Sequence, residues 1–146
     1  MSTFKSLRHA AEHDADALAG LSRELGYAVD ANAMRNRIKA IRKSPNDLLI
    51  AAVDSPDNVI GWMQAHAAHV LESGFRVEIL GLIVSLAFRR RGVGRALVSE
   101  AERWARGLQA EAIVVRSNVK RRESHTFYPA LGYARTKSQA VYRKVL

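Results

Sequence analysis

Apolar residues along this chain recur first at helical spacing and then in alternation, and that change of period lays out the elements. Residues 4–8 read as a short edge strand. Leu18, Leu21 and Leu25 form an i, i+3, i+7 stripe, which predicts a helix ending at Gly26, a residue type suited to the position just past a helix. Ala31, Met34, Ile38 and Ile41 repeat the pattern in a second helix, opened by Asp30 as N-cap and stopped by Ser44-Pro45. Both stripes are one-sided, so both helices should cover a sheet. Residues 47–54, 59–69 and 76–84 are strand-like, and the turn clusters Asp54-Ser55-Pro56-Asp57-Asn58 and Glu72-Ser73-Gly74 between them predict antiparallel pairing. Val93, Leu97, Ala101, Trp104, Ala105 and Leu108 then share one face of a third helix. A strand at 112–116, a short helix at 124–131 and a last strand at 140–145 complete the order. With no repeat and no linker, this β α α β β β α β α β order predicts one α/β (α+β) domain over 1–146. Its mixed central sheet should have about six to seven strands, with about four helices on both faces.

Composition narrows the class. With 48% hydrophobic residues, Gly 9 and Pro 3, the chain is neither disordered nor collagen-like. Cys 0 removes disulfides, thiolate metal sites and a cysteine nucleophile. Charge and polarity arrive within the first ten residues, and the longest apolar runs, such as 48–53, are about a strand in length. No signal peptide or membrane span is expected, and the cytoplasm is the expected compartment. A formal charge of +9 asks for something anionic: nucleic acid, a phosphorylated cofactor, or only water.

That charge clusters at Leu86-Ala87-Phe88-Arg89-Arg90-Arg91-Gly92-Val93-Gly94-Arg95, where a strand runs into a helix. Glycines let backbone N–H groups approach a ligand, and the first helical turn offers unpaired donors with partial positive charge, a geometry that binds phosphate. Arginines at a helix N-terminus oppose the macrodipole by roughly 0.3–1 kcal/mol each, a sign that an anionic ligand reverses. The alternative is a solvated run of surface charge. The Walker pattern is absent, and the dinucleotide fingerprint would require a third glycine where Leu97 stands.

Arg89-x-x-Gly92-x-Gly94, preceded by the apolar strand Ile79-Leu80-Gly81-Leu82-Ile83-Val84, resembles the acetyl-CoA motif of the GNAT N-acetyltransferase superfamily. Asn118 and Phe127-Tyr128-Pro129-Ala130-Leu131-Gly132-Tyr133 are similar to that family's downstream stretch, so the resemblance covers nearly the whole chain. Residues 118–128 further resemble an aminoalkylphosphonate N-acetyltransferase subgroup, with Ser124 where alanine is usual.

The resemblance implies acetyl-CoA as cosubstrate. The backbones of Leu82, Ile83 and Val84 would bind the pantetheine amides. Arg89, Arg90, Arg91, Gly92, Val93, Gly94 and Arg95 would hold the pyrophosphate, and Asn118 would contact the pantetheine arm or else serve as a turn residue. Attack of an amine on the acetyl carbonyl gives a tetrahedral intermediate that expels a thiolate. A phenol can supply the proton the thiolate needs, so Tyr128 is the candidate acid, against an alternative as an aromatic packing residue beside Phe127. Glu78, at the start of an otherwise apolar strand, is the candidate base, or a carboxylate paired with Arg76 or His69.

His66, His69 and His125 are each chemically able to serve as base or ligand; His66 and His69, three apart on a strand, point to opposite faces and make a poor metal pair, His125 reads as structural, and no metal is assigned. The implied function is acetyl transfer to a primary amine of a small molecule, an aminophosphonate or similar amine. Acetylation of a protein or peptide, or of an aminoglycoside, is the alternative, and a basic nucleic-acid-binding module is the alternative from another class. Candidate acceptor loops lie around Gly26-Tyr27 and 67–75. Homodimers are common in the resembled family.

Overall fold

A computed structural model describes residues 6–117 and 121–146, and groups the chain into two compact units, Met1–Val115 and Arg116–Leu146. The first unit is built on one five-stranded sheet in the order β1 to β5: β1 (Ser6–His9), β2 (Asp47–Ser55), β3 (Asn58–Val70), β4 (Gly74–Val84) and β5 (Ala112–Val115). The first three pairings are antiparallel, and β5 joins β4 in parallel, so the sheet is mixed as predicted.

The helices begin and end where side-chain chemistry says they should. α1 (Ala15–Glu24) closes with Gly26 N–H on the Arg23 carbonyl and Tyr27 N–H on the Ser22 carbonyl, at 3.0 and 3.1 Å. α2 (Ala31–Lys43) is capped by the Asp30 carboxylate, which accepts from Ala33 N–H at 2.9 Å. α3 (Val93–Gly107) buries Val93, Leu97, Val98, Ala101 and Ala105. The predicted stripe is kept except at its end, where Leu108 lies beyond the last turn and is exposed.

Leu18 and Leu21 of α1 and Ile38 of α2 pack with Leu49, Ala51, Val53 and Ile83 on one face of the sheet. α3 lies on the other: a Cβ placed on Gly61 would touch Val93, while its neighbour Trp62 packs into the α1/α2 core. The second unit holds α4 (Arg122–Ala130).

Two expectations need correction. Among the described residues the sheet has five strands, not six to seven, because 133–146 forms no strand. Val141 and Tyr142 there are 85% and 93% exposed. Alternation supplies strand propensity only, and a strand also needs a neighbour to bond with. The predicted strand at 4–8 is observed as Ser6–His9, with its beginning outside the described residues.

A partly buried ion pair ties β1 to the turn before α1. Asp14 accepts both arms of the Arg8 guanidinium at 2.7 and 2.8 Å, and the Ala11 N–H at 2.8 Å. Burial alone would push the Asp14 carboxyl up, but the Arg8 fork and the Ala11 amide outweigh it and hold it below the usual carboxylate value. Asp14→Asn strands the Arg8 charge. It should cost about 3 kcal/mol, lowering the Tm at pH 7 by roughly 10 °C. Because the folded pKa is depressed, this stability is present above the unfolded value of about 4 and is lost as pH falls through the folded one. The difference between melts of wild type and variant should therefore begin to shrink below about pH 4 and close as pH falls through the folded value, and a difference that does not shrink would mean the pair is not its source.

Candidate active site

β4 is where the sheet departs from regular pairing. Gln64 of β3 faces Gly81 while the next residue, Ala65, faces Ile79, so Leu80 is an extra residue, a β-bulge. β5 pairs with β4 only over Arg76–Ile79 and ends at Val115. Among the described residues, the outer edge of β4 from 80 to 84 therefore has no strand partner. Ser85 N–H bonds the Ile60 carbonyl at 2.8 Å, and the antiparallel alternation then turns Ile83 toward β3 and the main-chain groups of Leu82 and Val84 outward. The Ile83 carbonyl lies 2.9 Å from where a Gly61 Cβ would stand, in agreement with that alternation. Of the three residues expected to offer backbone groups, Leu82 and Val84 present them to the open edge, and Ile83 spends its own on β3.

Past Val84 the chain enters the arginine turn. Arg90 and Gly92 both have left-handed backbones, at φ 62° and 81°. For an arginine that conformation costs roughly 1–2 kcal/mol. Gly92 is the N-cap of α3 and provides no side-chain cap. The first helical bond here is Ala96 N–H to the Gly92 carbonyl at 3.0 Å, so the amides of Val93, Gly94 and Arg95 precede the ladder. A Cβ on Gly92 would meet nothing within 4 Å, so it would project into open space beside the start of α3. Arg90, Arg91 and Arg95 are exposed, Arg89 is half-buried, and the Arg91 guanidinium lies 5.4 Å from the Phe88 ring centre.

Below the bulge, one face of the sheet is polar. Asp47 on β2 stands opposite His66 on β3, which stands opposite Glu78 on β4. Cross-strand partners share a face, with Cβ atoms about 5 Å apart. His66 Nδ1 lies 3.0 Å from Asp47 Oδ1, and Arg76 Nη2 lies 3.5 Å from Glu78 Oε1. The Glu78 side chain is 14% exposed and His66 41%. The Arg76 pairing considered for Glu78 is therefore present at long range, whereas His69 instead stacks on Phe75 at 4.5 Å. Farther along this face the Trp62 ring lies over Gly81, and its buried Nε1–H finds no acceptor among the described residues. Among the described residues, no three His, Asp or Glu side chains are grouped to hold a metal ion.

In the second unit, the tyrosine motif has a local explanation. Gly132, at φ 93°, ends α4: Gly132 N–H bonds the Pro129 carbonyl at 3.0 Å, and Tyr133 N–H reaches back to the Tyr128 carbonyl at 3.1 Å. This brings the Tyr133 ring to 6.0 Å from Tyr128, edge-on, and Phe127 packs on Tyr128 at 4.9 Å. Burial pushes the Tyr128 phenol above its ordinary value of 10.0, with Arg121 pulling weakly the other way. A phenol so shifted keeps its proton at neutral pH. His125 is exposed on α4, and Asn118 lies outside the described residues.

Residues 8–133 match the model of the acetyltransferase (GNAT) family. The chain belongs to that family. It is an N-acetyltransferase, and acetyl-CoA is its acetyl donor. It is 33% identical over 129 residues to an aminoalkylphosphonate N-acetyltransferase of Salmonella typhimurium, covering 87% of this chain and 83% of that protein. In fold it is similar to an aminoglycoside N-acetyltransferase, AAC(6')-Iy, solved in complex with CoA (TM-score 0.83, 21% identity, 95% of this chain and 93% of that one). It is also similar to a transcriptional regulator from Bacillus halodurans (TM-score 0.85, 23% identity, 95% and 99%). Among the described residues, no helix is long and apolar enough to cross a membrane.

The open space at Gly92 makes a test of the arginine turn in this acetyltransferase. Gly92→Val puts a branched side chain into the open space at the start of α3 and into a left-handed backbone. CoA affinity, measured by calorimetry, should fall roughly 10- to 100-fold, while the melting temperature without CoA drops only by the few degrees expected for about 1–2 kcal/mol. Normal CoA binding by the folded variant would remove the turn from the site.

Proposed function

We propose that this acetyltransferase modifies the primary amine of a small anionic molecule, an aminoalkylphosphonate or a close analogue, by direct attack of the amine on the acetyl carbonyl. The observation that carries the reading is the Arg76–Glu78 pair at 3.5 Å on the polar sheet face. A guanidinium can hold an acidic group of the acceptor while the neighbouring carboxylate takes the ammonium proton. Identity of 33% to an aminoalkylphosphonate N-acetyltransferase supports the same substrate class.

In this reading Glu78 is the base and Tyr128 the acid that protonates the departing thiolate. Leu82 and Val84 hold the pantetheine amides through their main chain, with Ile83 between them. Arg89, Arg90, Arg91, Gly92, Val93, Gly94 and Arg95 hold the pyrophosphate. Asn118 keeps a pantetheine contact on the family resemblance alone. Glu78 stands six residues before Val84, roughly 20 Å along a strand, a separation suited to an extended pantetheine arm. The enzyme acts in the cytoplasm as a single domain over 1–146, as a homodimer, and without nucleic acid.

Thiol release from acetyl-CoA across aminophosphonates, amino acids, polyamines, aminoglycosides and peptides, with products identified by mass, tests the proposal. Aminophosphonates should give the highest kcat/KM. A preference for an aminoglycoside or a peptide would overturn the acceptor class. CoA should raise the Tm at moderate salt, whereas a nucleic-acid module would bind polynucleotide with an affinity that collapses as salt rises.

A further inference from the structure

Proton balance sets a requirement that Glu78 and Tyr128 alone do not meet. An ammonium substrate gives up two protons on becoming an amide. One replaces the proton that Tyr128 passes to the thiolate sulfur, and the other must leave the protein in every turnover. It arrives on Glu78, whose side chain is only 14% exposed.

We propose that His66, oriented by Asp47, is the exit for that proton, a role that rests on Glu78 being the base. Three observations carry it. Asp47, His66 and Glu78 form one row across three strands and on one face of the sheet. Asp47 Oδ1 lies 3.0 Å from His66 Nδ1; an ionised carboxylate accepts there, which selects the tautomer with hydrogen on Nδ1 and leaves the Nε2 lone pair to take a proton. The row also ends in water: His66 is 41% exposed, and Asp47 lines a cavity of about 270 Å³ with His9, Ala10, Ile41, Arg42 and Leu49. A polar cavity of that size holds several waters.

The step makes and breaks only bonds to hydrogen. The protonated Glu78 carboxyl gives its proton to His66 Nε2 and returns to carboxylate. His66 becomes an imidazolium, stabilised by the Asp47 charge, and loses a proton to water. Arg76 beside Glu78, and Arg42, which lines the cavity with Asp47 and the titratable His9, are the cations that face the row. They favour the charge-neutral return of the proton to solvent over its retention.

His66 acts through Glu78 and is a positioning and relay residue, so the test needs a readout that packing does not move. Turnover is measured for wild type, His66→Ala, Asp47→Asn and Glu78→Gln, with the panel amine giving the fastest thiol release, 2-aminoethylphosphonate under the reading above. Each enzyme is assayed in dilute buffer and again with added imidazole. His66→Ala should lose roughly tenfold in kcat in dilute buffer with little change in either KM, and imidazole should restore most of it. Asp47→Asn should show a smaller, equally rescued loss, Glu78→Gln should be slow whether or not imidazole is present, and wild type should be indifferent to imidazole. A slow His66→Ala that imidazole does not rescue, or one as fast as wild type while Glu78→Gln is slow, would overturn the relay and leave the base in place. A Glu78→Gln enzyme as fast as wild type would overturn the base reading itself. CoA-induced shifts in Tm confirm that each variant is folded.

Discussion

Tyr128→Phe should lower kcat by roughly 10²–10⁴ while leaving CoA affinity within about twofold of wild type. The variant keeps the ring that Phe127 and Tyr133 pack against, at 4.9 and 6.0 Å, and removes only the hydroxyl, so α4 and its glycine-terminated end should be undisturbed. The size of the loss follows from the leaving group. A thiolate expelled without a proton donor must wait for water, and a thiol titrates within a unit or two of a phenol, so transfer between them is nearly balanced. The pH dependence carries a sign. The acid works only when protonated, and burial pushes the Tyr128 phenol above 10.0, so its alkaline limb in wild type should lie beyond the ordinary tyrosine range. An unaltered kcat in Tyr128→Phe would remove it as the acid and leave the aromatic packing role.

The second large effect is expected at Glu78. Glu78→Gln retains the shape of the side chain and a hydrogen-bonding partner for Arg76, but cannot take a proton, so kcat/KM for the amine at pH 7 should fall roughly 10²–10³. The deficit should shrink by up to about tenfold per pH unit as pH rises toward the pKa of the amine, because free amine then arrives without help. A constant deficit across pH would make Glu78 a binding residue and not the base.

The elements of the first unit were legible in the chain because each is announced by neighbours in sequence. The Asp30 cap, the glycine ending α1, the three long strands and the turn clusters all rest on contacts within a few residues. The arginine-glycine turn was legible too, since residue type alone says where backbone donors and positive charge coincide. Its strain was not: φ 62° at Arg90 is a conformation that no residue there advertises. The last strand failed for the opposite reason, since alternation at 140–145 predicts one without saying what it would pair with.

The polar row shows the limit best. Sequence singled out Glu78 and left His66 among three histidines that could serve as base or ligand, and nothing marked Asp47. Their juxtaposition depends on register across β2, β3 and β4, and on a bulge at Leu80 that simple alternation hides. Counted by twos from Glu78, residues 80, 82 and 84 would share its face. The extra residue puts Gly81 and Ile83 there instead, and turns Leu82 and Val84 main-chain groups to the open edge. The sequence by itself determined the family, the element order and the place of the arginine-glycine turn, because these are written in local spacing and residue type. Only the tertiary structure decided which side chains meet at the site, because a one-residue slip in strand register reverses every face that follows it.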